Sequence, residues 1–200
     1  INADSAKAFL QFLRELSIRC RQNGIVLSVD NYRPADHNTF YDLEEQAVVV
    51  DYVILMGYDE HYVGSDAGSV ASLPWVEQGV QDTIAEVTPE RTILAIPFYT
   101  RLWKTTGGAV TSEAIGMDEA QNVLSTNGVE AVWDGSVGQN YATFEQDNST
   151  YQIWLEDAQS IAEKVKLIQK YNLAGVAQWK LGFENSSIWQ TISDNLQAAS

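Results

Sequence analysis

The chain has 200 residues, 45% hydrophobic and 10% aromatic, which suffices for one domain with a real core and at most a small appendage. Its 12 basic and 27 acidic residues leave a net charge of −15, which argues against nucleic acid or an anionic membrane surface as a partner. A neutral or cationic ligand is easier to accommodate, and the charge itself fits the solubility of a secreted or surface protein. Cys20 is the single cysteine, which excludes an internal disulfide and a thiolate metal cluster, and no apolar run reaches membrane-spanning length.

Phe9, Phe12, Leu13, Leu16 and Cys20 recur at helical spacing. They predict an opening helix with Asn2 or Asp4 as its cap, Asn23-Gly24 as its stop and Cys20 as a buried small hydrophobe. Residues 25–29 read as a buried strand, with Asp30, Asn31 and Tyr32 at its carboxyl end, and residues 42–47 as a short helix. The β-branched run 48–56 follows, expected as a strand buried on both faces in the manner of a parallel sheet. It ends in Tyr58, Asp59, Glu60 and His61, with Met56 and Tyr58 on one face; in α/β barrels such strand ends carry the chemistry.

Residues 63–73 are rich in Gly, Ser and Ala and read as a loop. Pro74 then starts a helix with Trp75, Val76, Gly79, Val80, Ile84 and Val87 as its inward stripe. Residues 92–98 form another apolar strand, with Tyr99, Arg101 and Trp103 just past it. From 104 to 151 the pattern shifts to Gly107-Gly108, a short helix over 117–125, and period-two stretches at 129–133 and 139–145. This reads as a small α+β insertion, leaving residues 1–103 and 152–200 as the main body. The βα rhythm returns with a helix over 157–171, a strand over 174–179, and a last helix burying Ile188, Trp189, Ile192 and Leu196.

Four strands, each followed by a helix, make half of a TIM (β/α)8 barrel, whose full set typically takes about 250 residues. The chain opens without an initiator Met, a few residues before a helix, so it is expected to be a piece of something longer. Four parallel strands alone leave two open edges and an uncovered inward face, which makes a homo-oligomer of the fragment the expected state.

Three strand endings in this order resemble the family 18 glycoside hydrolases, the fold of many chitinases and of bacterial cell-wall and spore-cortex hydrolases. Asp51-Tyr-Val-Ile-Leu-Met-Gly-Tyr-Asp59 is similar to that family's sixth barrel strand, Ile96-Pro-Phe-Tyr-Thr-Arg-Leu-Trp103 to its seventh, and Gly175-Val-Ala-Gln-Trp-Lys-Leu-Gly182 to its eighth. Tyr58-Asp-Glu-His61, Ala71-Ser-Leu-Pro-Trp-Val-Glu77 and Ile153-Trp-Leu-Glu-Asp157 are similar to the branch found in spore-germination and wall proteins of Gram-positive bacteria. That branch is extracellular, wall- or spore-associated, and often joined to LysM-type wall-binding modules. The resemblance spans essentially the whole chain but only the C-terminal half of the family's barrel.

The resemblance implies hydrolysis of β-linked N-acetylglucosamine glycans, peptidoglycan or chitin, by substrate-assisted retaining catalysis, with no cofactor. It gives Tyr58 the role of donating its phenol to the sugar's acetamido group. Asp59 would position that group, and Trp179 would floor the pocket. Met56 reads equally as pocket lining or core filler. Tyr99 and Arg101 become polar groups of the pocket, with a surface ion pair as the equal alternative for Arg101. The match of Asp30, Asn31 and Tyr32 is loose. Trp103 and Trp133 fit either a sugar-binding wall or the core of the insertion.

The family's general acid is the glutamate that ends an Asp-x-x-Asp-x-Asp-x-Glu motif on the fourth strand. This chain contains no such motif. The glutamate is expected a few residues before Ile1, and the chain alone is expected to be inactive. A non-catalytic carbohydrate-binding protein of the same fold is the alternative. His37 and His61 lack the spaced acids of a metal site. Asn148-Ser-Thr150 and Asn185-Ser-Ser187 fit the glycosylation acceptor pattern, which arises easily by chance.

Overall fold

Two sheets organise residues 1–197, those that the computed structural model of the chain describes. The first is parallel, with strands β1 (Ser28–Tyr32), β2 (Tyr52–Met56), β3 (Thr92–Pro97) and β9 (Gly175–Trp179) side by side in that order. The second is antiparallel and interrupts the first between β3 and β9. It holds β4 (Tyr99–Thr106), β5 (Ala109–Gly116), β6 (Val132–Asp134), β7 (Gln139–Gln146) and β8 (Ser149–Trp154), ordered β5-β4-β8-β7-β6.

Helices cover one face of the parallel sheet. α1 (Ala6–Gln22) and α2 (Leu43–Val49) enclose a small core of Leu13, Leu43, Val50, Val53 and Val87. α3 (Leu73–Ile84), α5 (Ala158–Lys170) and α6 (Ile188–Gln197) enclose the larger one, around Leu55, Val76, Val80, Leu94, Ile96, Ile161 and Val165. Asp157 caps α5, accepting from the amides of Gln159 and Ser160 while its own amide donates to the Ser160 hydroxyl. In the second sheet α4 (Met117–Asn127) packs Ala120 and Leu124 onto Ala142 and Ile153.

Burial on both faces of β2 is not what the structure shows. Val53 and Leu55 are buried under helices, whereas Tyr52, Ile54 and Met56, pointing the other way, are only half-buried. The run reads as continuously apolar because its inward residues belong to a face that carries no second layer here. Val48 and Val49 also close α2 rather than opening the strand, since Asp42 caps that helix by accepting from the amide of Glu45.

The first strand sits three residues later than expected. Ile25 and Val26 are 57% and 68% exposed and lead out of α1, and pairing starts only where the Leu27 amide meets the Asp51 carboxylate at 2.7 Å. Asp30, Asn31 and Tyr32 therefore lie within β1 rather than after it. Phe12, Trp189 and Leu196, expected inside, are 55%, 41% and 38% exposed, while Cys20 is buried.

The second sheet begins at Tyr99, so Tyr99, Arg101 and Trp103 belong to β4 and not to the end of β3. Only Phe98 separates the two strands. It is fully buried, its amide donates to the Trp179 carbonyl at 2.7 Å, and its ring meets Trp189 edge-on. β4 and β5 turn on Gly107 and Gly108, both at positive φ, the hairpin chemistry of a two-glycine loop. β7 and β8 turn on Asp147 and Asn148, also at positive φ.

Glu156 and Lys164 lie fully buried where α5 meets this sheet. The ammonium reaches both carboxylate oxygens at 3.0 Å, and the Ser160 hydroxyl adds a bond of 2.8 Å. Burial pushes the Glu156 carboxyl up to about 7, against the downward pull of Lys164 and Ser160.

Candidate active site

Paired residues of parallel strands point to the same face, so register decides which side chains meet. Met56, Ala95 and Ala177 form one row across β2, β3 and β9 on the helix-free face. Two residues on, Pro97 pairs with Trp179, and continuing β2 by the same step brings Tyr58 level with them. Asp30 and Tyr32 share this face from β1, opposite Ile54 and Met56. Trp179 is 53% exposed there, and its peptide bond to Lys180 is cis.

Tyr58 is half-buried, and among the described residues its hydroxyl has no hydrogen-bond partner. Burial, then the nearby carboxylates of Asp30 and Asp59, push its phenol up to about 12, so it remains a protonated donor across the physiological range. The next residue, Asp59, adopts φ of 66°, a left-handed conformation that non-glycine residues rarely take unless their surroundings hold them in it. That turn meets β4: the buried Tyr99 hydroxyl donates to the Asp59 carboxylate, and the Tyr58 and Tyr99 rings meet edge-on at 6.2 Å. Burial and the bond to Asp59 push the Tyr99 phenol far up.

Arg101 follows Tyr99 on the same face of β4. Its Nη1 donates to Ser112 at 3.1 Å, while its Nε is buried without a partner among the described residues. No carboxylate lies within ion-pair distance of it among the described residues. Trp103, one step further, is 1% exposed and donates its indole N–H to the Gly68 carbonyl at 2.8 Å, which makes it core and not wall. Trp133 is half-buried on the edge strand β6.

A cleft of about 870 Å³ opens beside Tyr58 and Asp59 and is lined also by Tyr32, His37, Phe40, Tyr62 and Trp75. Met56, Trp179, Tyr99 and Arg101 are outside its lining. The structure thus joins Tyr58, Asp59 and Tyr99 directly, and sets Met56 and Trp179 along the same face, with no hydrogen bond or ring contact to them among the described residues. Tyr62 and Trp75 line the cleft beyond the residues expected there; Tyr62, four residues beyond Tyr58 and 54% exposed, carries the one signal available, an aromatic in a loop after a strand end. One face of Trp75 is taken by the Arg33 guanidinium, 5.3 Å from the ring, which also bridges to Asp82 at 3.1 Å.

Replacing Tyr99 by Phe removes the donor from Asp59 without changing the ring. Hydrogen bonds to charged groups contribute about 1.5–3 kcal/mol, so a loss of that size is expected in urea unfolding. An unchanged midpoint would show that the bond contributes nothing to stability.

The profile of the glycosyl hydrolases family 18 matches residues 2–184. The chain belongs to this family. It is 25% identical over 197 residues to the cortical fragment-lytic enzyme of Bacillus subtilis, covering 94% of this chain and 46% of that protein. Among solved structures, a chitinase from Chromobacterium violaceum superposes with a TM-score of 0.90 at 23% identity, covering 98% of this chain and 63% of that one. The spore cortex-lytic enzyme SleL of Bacillus megaterium gives 0.86 at 22% identity, covering 98% and 47%. The chain spans about half the length of the curated relatives it matches. The fold likeness makes the four-stranded sheet and its helices part of the family 18 barrel, with the antiparallel sheet set between its last two strands.

Proposed function

We propose that this chain supplies the tyrosine, acid and tryptophan side of a glycosidase site that cleaves β-linked N-acetylglucosamine glycans, the peptidoglycan of wall or spore cortex, or chitin. The observation that carries the reading is Tyr58, a half-buried phenol whose hydroxyl has no partner among the described residues, beside the Asp59 carboxylate, on the face that also bears Trp179. A phenol so placed can donate to the carbonyl oxygen of a sugar acetamido group. Asp59 accepts the amide N–H and offsets the positive charge that develops as the acetamido oxygen attacks the anomeric carbon. Trp179 offers the exposed indole face on which axial C–H bonds of a pyranose pack.

In substrate-assisted cleavage the sugar's own acetamido oxygen forms the new bond to carbon, and the glycosidic oxygen leaves with a proton from a general acid. That acid is a glutamate outside these 200 residues, on the N-terminal half of the barrel. Wall or spore association, and LysM-type modules flanking the chain, belong to the same proposal. The kinship with cortex-lytic and chitinase sequences supports it. Among the described residues no helix is long and apolar enough to cross a membrane.

The test is calorimetry with N-acetylglucosamine oligomers, together with turnover of an aryl glycoside of the same sugar. The full-length protein is expected to bind and cleave, and the isolated chain to show no turnover. Robust turnover by the isolated chain would refute the missing-acid reading. Saturable binding without cleavage by the full-length protein would select a lectin instead, and no binding at all would overturn the proposal.

A further inference from the structure

A buried chain of hydrogen bonds runs from α5 to the segment that follows Asp59. The Glu156 carboxylate, held by Lys164 and Ser160, takes a further donor from the Gln139 Nε2 of β7 at 2.8 Å. Gln139 is fully buried and turns its Oε1 to the Ser69 hydroxyl, which donates to it. The Ser69 Oγ accepts from the Ala71 amide at 3.0 Å, and its carbonyl accepts from the His61 amide at 3.2 Å. The Val70 carbonyl accepts from the Glu60 amide at 2.9 Å. The Glu60 carboxylate closes the segment by accepting from the Ser72 amide at 2.7 Å and the Ser72 hydroxyl at 3.0 Å.

Residues 60–72 are therefore folded back on themselves at a point that Gln139 fixes, and their first residue follows Asp59 directly. Replacing a buried ion pair by apolar groups of the same volume is often neutral for stability, so this pair is read for the direction it gives its hydrogen bonds rather than for stability. The left-handed backbone of Asp59 needs such a restraint.

We propose that Gln139, backed by the Glu156–Lys164 pair, is a positioning residue for Asp59, acting through Ser69 and the 60–72 segment. Its catalytic consequence rests on the glycosidase reading; its structural consequence does not. Two variants of the full-length protein test it, Ser69→Ala and Gln139→Leu, by hydrogen exchange without ligand and by turnover of the aryl glycoside. Exchange at the Glu60 and His61 amides is expected to accelerate about tenfold while β3 and β9 remain protected. In the same variants kcat falls about tenfold and KM moves less than twofold, the signature of an interaction made mainly in the transition state.

Unchanged exchange at those two amides in both variants, or uniform acceleration across the sheet, would overturn the proposal, as would intact kcat alongside local loosening. Should the unsubstituted protein cleave no sugar, the glycosidase reading fails, and the exchange data alone still decide whether Gln139 holds the segment.

Discussion

Asp59→Asn in the full-length protein is expected to lower kcat by about 10²–10³, with a much smaller change in KM, the size of effect seen when one preorganised electrostatic contact is removed. The amide keeps an oxygen that can accept from Tyr99, so the turn after β2 survives. On the proposed mechanism it lacks the negative charge that would offset the developing cation, and that charge would matter only as the acetamido oxygen closes on carbon. Tyr58→Phe should act in the same direction, because it deletes the phenol donor while keeping the ring that meets Tyr99. Steady-state kinetics at saturating substrate check both. An Asn variant within tenfold of the unsubstituted enzyme would remove Asp59 from the chemistry.

Lys164→Met is expected to cost about 3–5 kcal/mol of stability at neutral pH, since it leaves a buried carboxylate without its cation. The loss is pH-dependent, with a definite sign. Without Lys164 the folded-state carboxyl of Glu156 is pushed still further above its ordinary value of 4.5, so the folded variant binds a proton that the unfolded chain has released. Its stability is therefore kept below about pH 4.5 and lost as pH rises through the raised folded value. Urea midpoints compared at pH 5 and pH 8 measure this, and a deficit that stays constant between them would show that Glu156 does not titrate as argued.

Much of this architecture is readable from the residues, for local reasons. α1 announces itself through its apolar stripe, although Asn2 caps the 3-10 turn before it rather than the helix itself, α5 through its stripe, and Tyr58 and Asp59 stand out because an apolar strand ends on them. The misplacements have two sources. Ile25, Val26 and Val48 read as strand because they are β-branched and apolar, yet they are exposed where they join or end helices, a result that hydropathy alone does not separate from burial. The β4–β5 hairpin was hidden for another reason. Polar side chains on both faces of β5 give no clean alternation, and only Gly107-Gly108 marks the turn.

At the site, the row holding Tyr58 and Trp179 follows from strand endings, whereas the Tyr99–Asp59 bond requires knowing that β4 bends away at Phe98. The buried path through Gln139 and Ser69 spans 70 residues of chain and leaves no local pattern at all.

The one-residue joint at Phe98 bears on how this enzyme class diversifies. Side chains alternate along a strand, so adding a single residue there would rotate every later position of β4 by half a turn. Thr100 and Leu102 would then take the face that Tyr99 and Arg101 hold now, the one that meets Asp59. Exchanging the antiparallel module between relatives is thus a question of phase before it is one of sequence: a graft that keeps the count keeps the Tyr99 hydroxyl on Asp59, and one that slips by a single position turns it away.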